Sequence, residues 1–172
     1  MSVTLHRHVK GLVADLAAEY GEIDLIGRRV ECSVEGYDRL LAGFESFDVV
    51  GGAGVRVLDG DRMLLVRYEG ADGWVDPGDS RRPGESYREC ATRGLREAAG
   101  VDATIDRVAQ IHLLYLDDPT DREPIPNPYV SFLGTGGSGS TDPGPDVESI
   151  RWSAEPPGEL LYDELGEQPL GG

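Results

Sequence analysis

Residues 74–101 read WVDPGDSRRPGESYRECATRGLREAAGV, and the organisation of the chain can be worked out from them. Pro77-Gly78 and Pro83-Gly84 punctuate a loop. Ser86 followed three residues later by Glu89 forms a capping box, so a helix starts there. Gly100 sits where a helix C-terminus takes a left-handed residue, which predicts a helix over 86–99. On that helix Ala91, Leu95 and Ala98 share an apolar face. Glu85, Glu89, Arg93 and Glu97 recur every four residues, placing carboxylates and one arginine along a second face, with Glu89–Arg93 and Arg93–Glu97 pairs allowed.

The flanks read as strands. Residues 49–58 alternate Val55 and Val57 with Gly54 and Arg56, Asp59-Gly60-Asp61 signals a turn, and the nearly all-apolar 63–68 is the partner strand. Trp74-Val75 is a short extended piece. Downstream, 103–116 is a long strand, 117–128 a loop dense in Asp and Pro, 129–133 a strand and 147–152 the last strand. The Gly/Ser/Asp/Pro stretch 134–145 reads as a mobile loop, and 160–165 as a final helical turn. Upstream, Val9, Leu12, Val13, Leu16 and Ala17 predict a helix over 3–19, and Tyr37, Leu40, Leu41 and Phe44 a second over 34–45. The order of elements predicts an α+β fold, an α/β/α sandwich. Its mixed β-sheet would carry helices on both faces, not an alternating βαβ arrangement. The chain divides into an N-terminal helical extension (1–45), the main domain (46–165) and a C-terminal tail (166–172).

Residues 79–101 resemble the Nudix box, G-x5-E-x7-R-E-U-x-E-E-x-G-U with U a bulky aliphatic. Aligned on Glu85, the pattern meets Arg93, Leu95, Glu97, Gly100 and Val101 without a gap. The neighbouring strands, Leu64 to Arg67 and Ile150 to Trp152, agree as well. The resemblance spans roughly 49–165. It implies a Nudix-type fold and a hydrolase of a nucleoside diphosphate linked to another moiety, using Mg2+ or Mn2+ held by glutamates of the helix, because a hard divalent cation takes oxygen ligands and substrate phosphates. Three positions depart from the pattern. Asp79 replaces the opening glycine, Gly94 the glutamate after the arginine, and Ala98 the second glutamate of the pair. The resemblance then leaves Glu97 as the principal metal ligand and Arg93 as its orienting partner. Glu148 is a candidate base, and Asp79 and Glu85 are substitute metal ligands. Restoring Gly94→Glu and Ala98→Glu is expected to raise Mg2+ affinity. Arg56, Arg67 and Arg81 are candidates for meeting phosphates, since a guanidinium matches phosphate oxygens. Trp74, Tyr68, Tyr115 and Tyr129 are candidates for stacking on a base. Two readings stand: an enzyme with weakened or altered catalysis, or a catalytically inactive binding or regulatory module for a nucleotide or ADP-ribose.

Composition narrows the partners. The 172 residues hold 32 acidic and 16 basic side chains, for a net charge of −16, and Lys10 is the one lysine. Such a surface repels nucleic acid and anionic membranes, and would repel a polyphosphate unless arginines or metal ions neutralise part of the site. The small nucleotide-type ligand is what the resemblance implies, and a homodimer is allowed. Nothing approaches the roughly 18 apolar residues of a membrane span. Asp15 and Glu19 interrupt any signal-type apolar region, so the expected location is cytoplasmic. Cys32, Cys90, His6, His8 and His112 show no zinc spacing. The acidic surface reads as adaptation to concentrated salt, where the Debye length shrinks to about 3 Å at 1 M. Thermal melts in low and high potassium chloride are expected to show greater stability in high salt. Equal stability in both would exclude this reading.

Overall fold

The computed structural model describes residues 2–71, 73–136 and 140–154. In chain order these form α1 (Ser2–Tyr20), β1 (Asp24–Glu31), α2 (Val34–Phe47), β2 (Gly52–Asp59), β3 (Arg62–Tyr68), β4 (Gly78–Ser80), α3 (Tyr87–Ala99), β5 (Ala103–Asp117), β6 (Ile125–Gly136) and β7 (Val147–Ser153). One mixed sheet runs β1-β5-β6-β2-β3-β7, with β4 pairing β2 off this path. The β1/β5 and β2/β6 ladders are parallel and the others antiparallel. The expected class, a mixed sheet with packed helices and an N-terminal helix ahead of it, is what folds. Among the described residues no helix is long and apolar enough to cross a membrane. The expected turn at 160–165 lies outside the described residues.

The core follows from strand alternation. Val55, Val57, Leu64, Val66, Val130 and Phe132 point to one face, where they meet Ala91 and Leu95 of α3 and Leu16 of α1. Fully burying a residue such as Leu95 stabilises by about 1.5–3 kcal/mol. The other end of α1 joins a second cluster, where Leu5 and Val9 pack with Tyr37 and Phe44 of α2 and with Leu113, Leu116 and Ile125.

Besides β4, a short strand inside the expected Pro-Gly loop, three segments differ from the sequence reading, each for a physical reason. Strand β1 is absent from it because no β1 residue is buried, so no apolar alternation marks it. A parallel backbone ladder to β5 and the Arg29–Asp117 ion pair hold it instead. Strand β6 begins at Ile125, inside the expected loop, although it carries Pro126 and Pro128. Those prolines pair only with β5, because β2 joins β6 from Tyr129 onward. They therefore occupy edge positions, where a missing N–H leaves no ladder bond unmade. The expected mobile loop is partly strand, since β6 continues to Gly136. Further on, Asp142 and Gly144 donate backbone N–H bonds to Ala99 and Ala98 at the end of α3.

The sheet face turned away from α3 carries a polar set. Arg56, Gln110, His112 and Ser131 are all buried there. Burial, with the positive charges of Arg56 and Arg28 nearby, lowers the His112 pKa to about 4 from an ordinary 6.5. A depressed histidine binds its proton more readily in the unfolded chain. Its contribution is complete above about 6.5 and is lost as pH falls toward 4. Denaturation measured from pH 7.5 to 4 is expected to show a fall in stability that His112→Gln flattens. Parallel pH curves for the two proteins would contradict it.

Candidate functional site

The site forms where β2 and β3 part. The two strands pair only at Leu58↔Met63 and Asp59↔Arg62, on either side of a turn with Gly60 at positive φ. Beyond this the strands diverge, and the 74–80 segment fills the gap. Val75 bridges Val66, the Pro77 carbonyl accepts from Val55 N–H, and β4 pairs with residues 52–54 of β2. Helix α3 lies across this insertion. Its capping box is formed, with Ser86 accepting from Glu89 N–H and Glu89 accepting from Ser86 N–H, and Gly100 ends it in the left-handed region.

Arg93 is the centre of the site. Its five N–H groups meet five oxygens: Glu85 Oε2 at 2.7 Å, Glu85 Oε1 at 2.9 Å, Asp79 Oδ2 at 2.7 Å, Glu97 Oε2 at 3.2 Å and the Ser80 carbonyl at 2.9 Å. That uses the full donor capacity of a guanidinium. The Arg93 fork holds the Glu85 carboxyl down near a pKa of about 2. Arg82 adds a second cation, 3.6 Å from Glu97 Oε1. Glu89 is committed to its capping box. Cys90 is buried beside this cluster and donates to the Asp79 carbonyl; burial pushes its thiol up to about 12, which makes it inert.

Beside the cluster lies a cleft of about 590 Å³, bounded by Tyr68, Asp76, Glu97, Ala98, Tyr129 and Asp146 among others. Its size falls within the range of small-ligand sites. Gly94 also borders it, but tightly. A Cβ there would lie 2.8 Å from the Gly78 carbonyl carbon and 2.9 Å from the Asp79 nitrogen. The middle of α3 is thus pressed onto the backbone of β4. Ala98, one turn on, carries a Cβ and opens toward the cleft.

A family model described as the NUDIX domain matches residues 50–168, and the chain belongs to the Nudix family. Among curated proteins none matches. Solved structures with the same fold include a NUDIX hydrolase from Nitrosomonas europaea, 17% identical, with a TM-score of 0.57 over 69% of this chain and 68% of that one. A MutT NUDIX hydrolase from Burkholderia pseudomallei is 23% identical, with a TM-score of 0.51 over 66% and 91% of the two chains. An Ap4A hydrolase from C. elegans, in a binary complex, is 18% identical, with a TM-score of 0.51 over 69% and 91%.

Nudix proteins generally use divalent cations such as Mg2+, and the residues present here fit that ion poorly. Asp79, Glu85 and Glu97 do converge, but on Arg93. Glu148 lies apart, on β7, 3.6 Å from Arg67 of β3. Among the described residues no three Asp, Glu, His or Cys side chains are grouped to hold a metal. Gly94 and Ala98 offer no oxygen, so the cleft side of α3 presents one carboxylate, Glu97.

The arginines and aromatics expected at phosphates and bases are also dispersed. Arg56 is 1% exposed and donates to Gln110 Oε1, with Asp76 and Tyr129 of the cleft wall as its electrostatic neighbours. Arg81 donates to the Asp48 carbonyl and lies over the Tyr87 ring. Trp74 packs with Met63 and Leu65 beneath Arg151. Tyr68 and Tyr129 do border the cleft, whereas Tyr115 packs in the second cluster. Asp76 borders the cleft too, 2% exposed, accepting from Ser131 Oγ, with burial raising its pKa. Its place beside Pro77-Gly78 was the available signal for it in the sequence.

The close approach at Gly94 makes the two restorations unequal, because a side chain there would meet the backbone of β4. Gly94→Ala is expected to cost about 1–3 kcal/mol, as overpacking does, and Gly94→Glu more. Ala98→Glu has the cleft to enter and is expected to fold. Thermal melts of the variants test this, and a Gly94→Ala protein as stable as wild type would refute the close approach.

Proposed function

We propose that the chain binds a small nucleotide-type ligand, a nucleoside diphosphate linked to another moiety, in the cleft between α3, β4 and residues 144–147. We further propose that the family's Mg2+-dependent hydrolysis is strongly attenuated in it. The observation that carries the second part is the packing of Gly94 on the backbone of β4. It leaves no room for a carboxylate at the position after the arginine, and Ala98 supplies none. Losing one preorganised charge-stabilising group costs about 10²–10³ in kcat in other enzymes, and two are missing here. The ligand class rests on the family, on the cleft's volume, and on fold relatives that act on such compounds, an Ap4A hydrolase and a UDP-X diphosphatase. A cytoplasmic setting and a salt-adapted surface accompany this reading. The fully committed Arg93 favours the version in which a nucleotide or ADP-ribose is bound and sensed rather than cleaved.

Calorimetry and turnover assays across ADP-ribose, a diadenosine polyphosphate and a UDP-sugar, at high salt with Mg2+ or Mn2+, test both parts. Saturable binding is expected for at least one compound, with turnover at least about 10³-fold below that of a Nudix hydrolase with a complete box. Rapid turnover abolished by Glu97→Gln would show that the catalytic site is intact. No binding across the panel would remove the ligand assignment.

A further inference from the structure

We infer that Arg93 is the resident counter-cation of this Nudix box: it takes up the charge that a divalent ion would otherwise neutralise, so the folded box holds its acids together without metal. The inference is independent of which ligand fills the cleft.

Three observations carry it. First, the arginine is saturated. Its five donors meet five oxygens from Asp79, Ser80, Glu85 and Glu97, and its side chain is 16% exposed. A divalent ion at Glu97 has Oε1 to bind, since Arg93 takes Oε2, but there it would lie beside the guanidinium groups of Arg93 and Arg82, which sets positive charges side by side. Second, the extra acid is aimed at the arginine. Asp79 stands where the family pattern has glycine, and its carboxylate makes one of the shortest bonds to Arg93 while its other oxygen accepts from Ser80 N–H. Added to a metal site, an acid would point at the ion; here it completes the guanidinium's shell. Third, the charge is nearly balanced. Three carboxylates face Arg93 and Arg82, leaving one net negative charge and little electrostatic demand for a dication. Without the arginine these three carboxylates would lose the cation that all of them meet, and would have to separate, take up protons or take up another cation.

The test uses Mn2+ alone, followed by electron paramagnetic resonance of the free ion, in about 0.15 M potassium chloride, where screening beyond about 8 Å suppresses diffuse binding to the acidic surface. Wild type and Glu97→Gln are expected to give coincident titrations. A saturable component present in wild type and missing from Glu97→Gln would overturn the inference. Arg93→Gln is expected to gain a Mn2+ site about tenfold or more tighter than anything in wild type, and to melt higher with Mn2+ than without. A folded Arg93→Gln protein that ignores Mn2+ would also overturn it. If that variant does not fold, the comparison of wild type with Glu97→Gln decides.

Discussion

The fork of Arg93 is the constraint on which the site depends. One planar group fixes a helix, a three-residue strand and the turn between them, because Glu85 closes the Pro-Gly loop, Asp79 and Ser80 belong to β4, and Glu97 lies one turn further along α3. A lysine has three donors on a point charge and would leave oxygens of this shell unmet. Pulled together in this way, α3 and β4 approach until only glycine fits at position 94. The glycine costs about 1 kcal/mol in helix propensity. The close packing it permits, with Cys90 donating to the Asp79 carbonyl, offsets that cost.

Much of this was legible as spacing. The capping box at Ser86 and Glu89, the helix stop at Gly100 and the i,i+4 pair Arg93–Glu97 are local relations, and they stand in the structure as the sequence implies. Glu85 lies eight residues before Arg93, close enough for one loop and two helical turns to join them. The reach of Asp79 to Arg93 was not legible, because it depends on the antiparallel register that pairs Asp79 with Ala53. The spacing of an acidic chain does not say which of Asp79, Glu97 and Glu148 come together in space. The register separates them, sending two to Arg93 and one to Arg67.

The same distinction between local and long-range information accounts for the fold. Strands with apolar alternation or buried runs, β2, β3 and β7, are readable from composition alone. Strand β1 is stabilised by hydrogen bonds to a strand some eighty residues away, and that leaves no mark on its own side-chain pattern. The start of β6 is hidden by prolines whose tolerance depends on β2 not yet being its neighbour. Residues 142–144 look like a linker until the carbonyls at the end of α3 are considered, since those orphan acceptors need donors and this segment supplies two.

The two lost glutamates therefore differ in kind. Helix α3 is pressed onto β4 at its middle and tied to residues 142–144 at its end, so one side of it closes while the next turn stays open. Position 94 lies in the closed part, where a side chain would have to displace backbone; its glycine is a requirement of packing. Position 98 borders the cleft as well, but its alanine is buried against the main core. Loss of carboxylates alone would bring no compensating contact. This chain has gained an acid at 79 that serves the arginine and a glycine at 94 that serves the approach of strand and helix. Each substitution makes sense given the other. The contacts that leave room only for glycine at position 94 also build one wall of the cleft, so the packing of helix on strand and the shape of the cleft are set together.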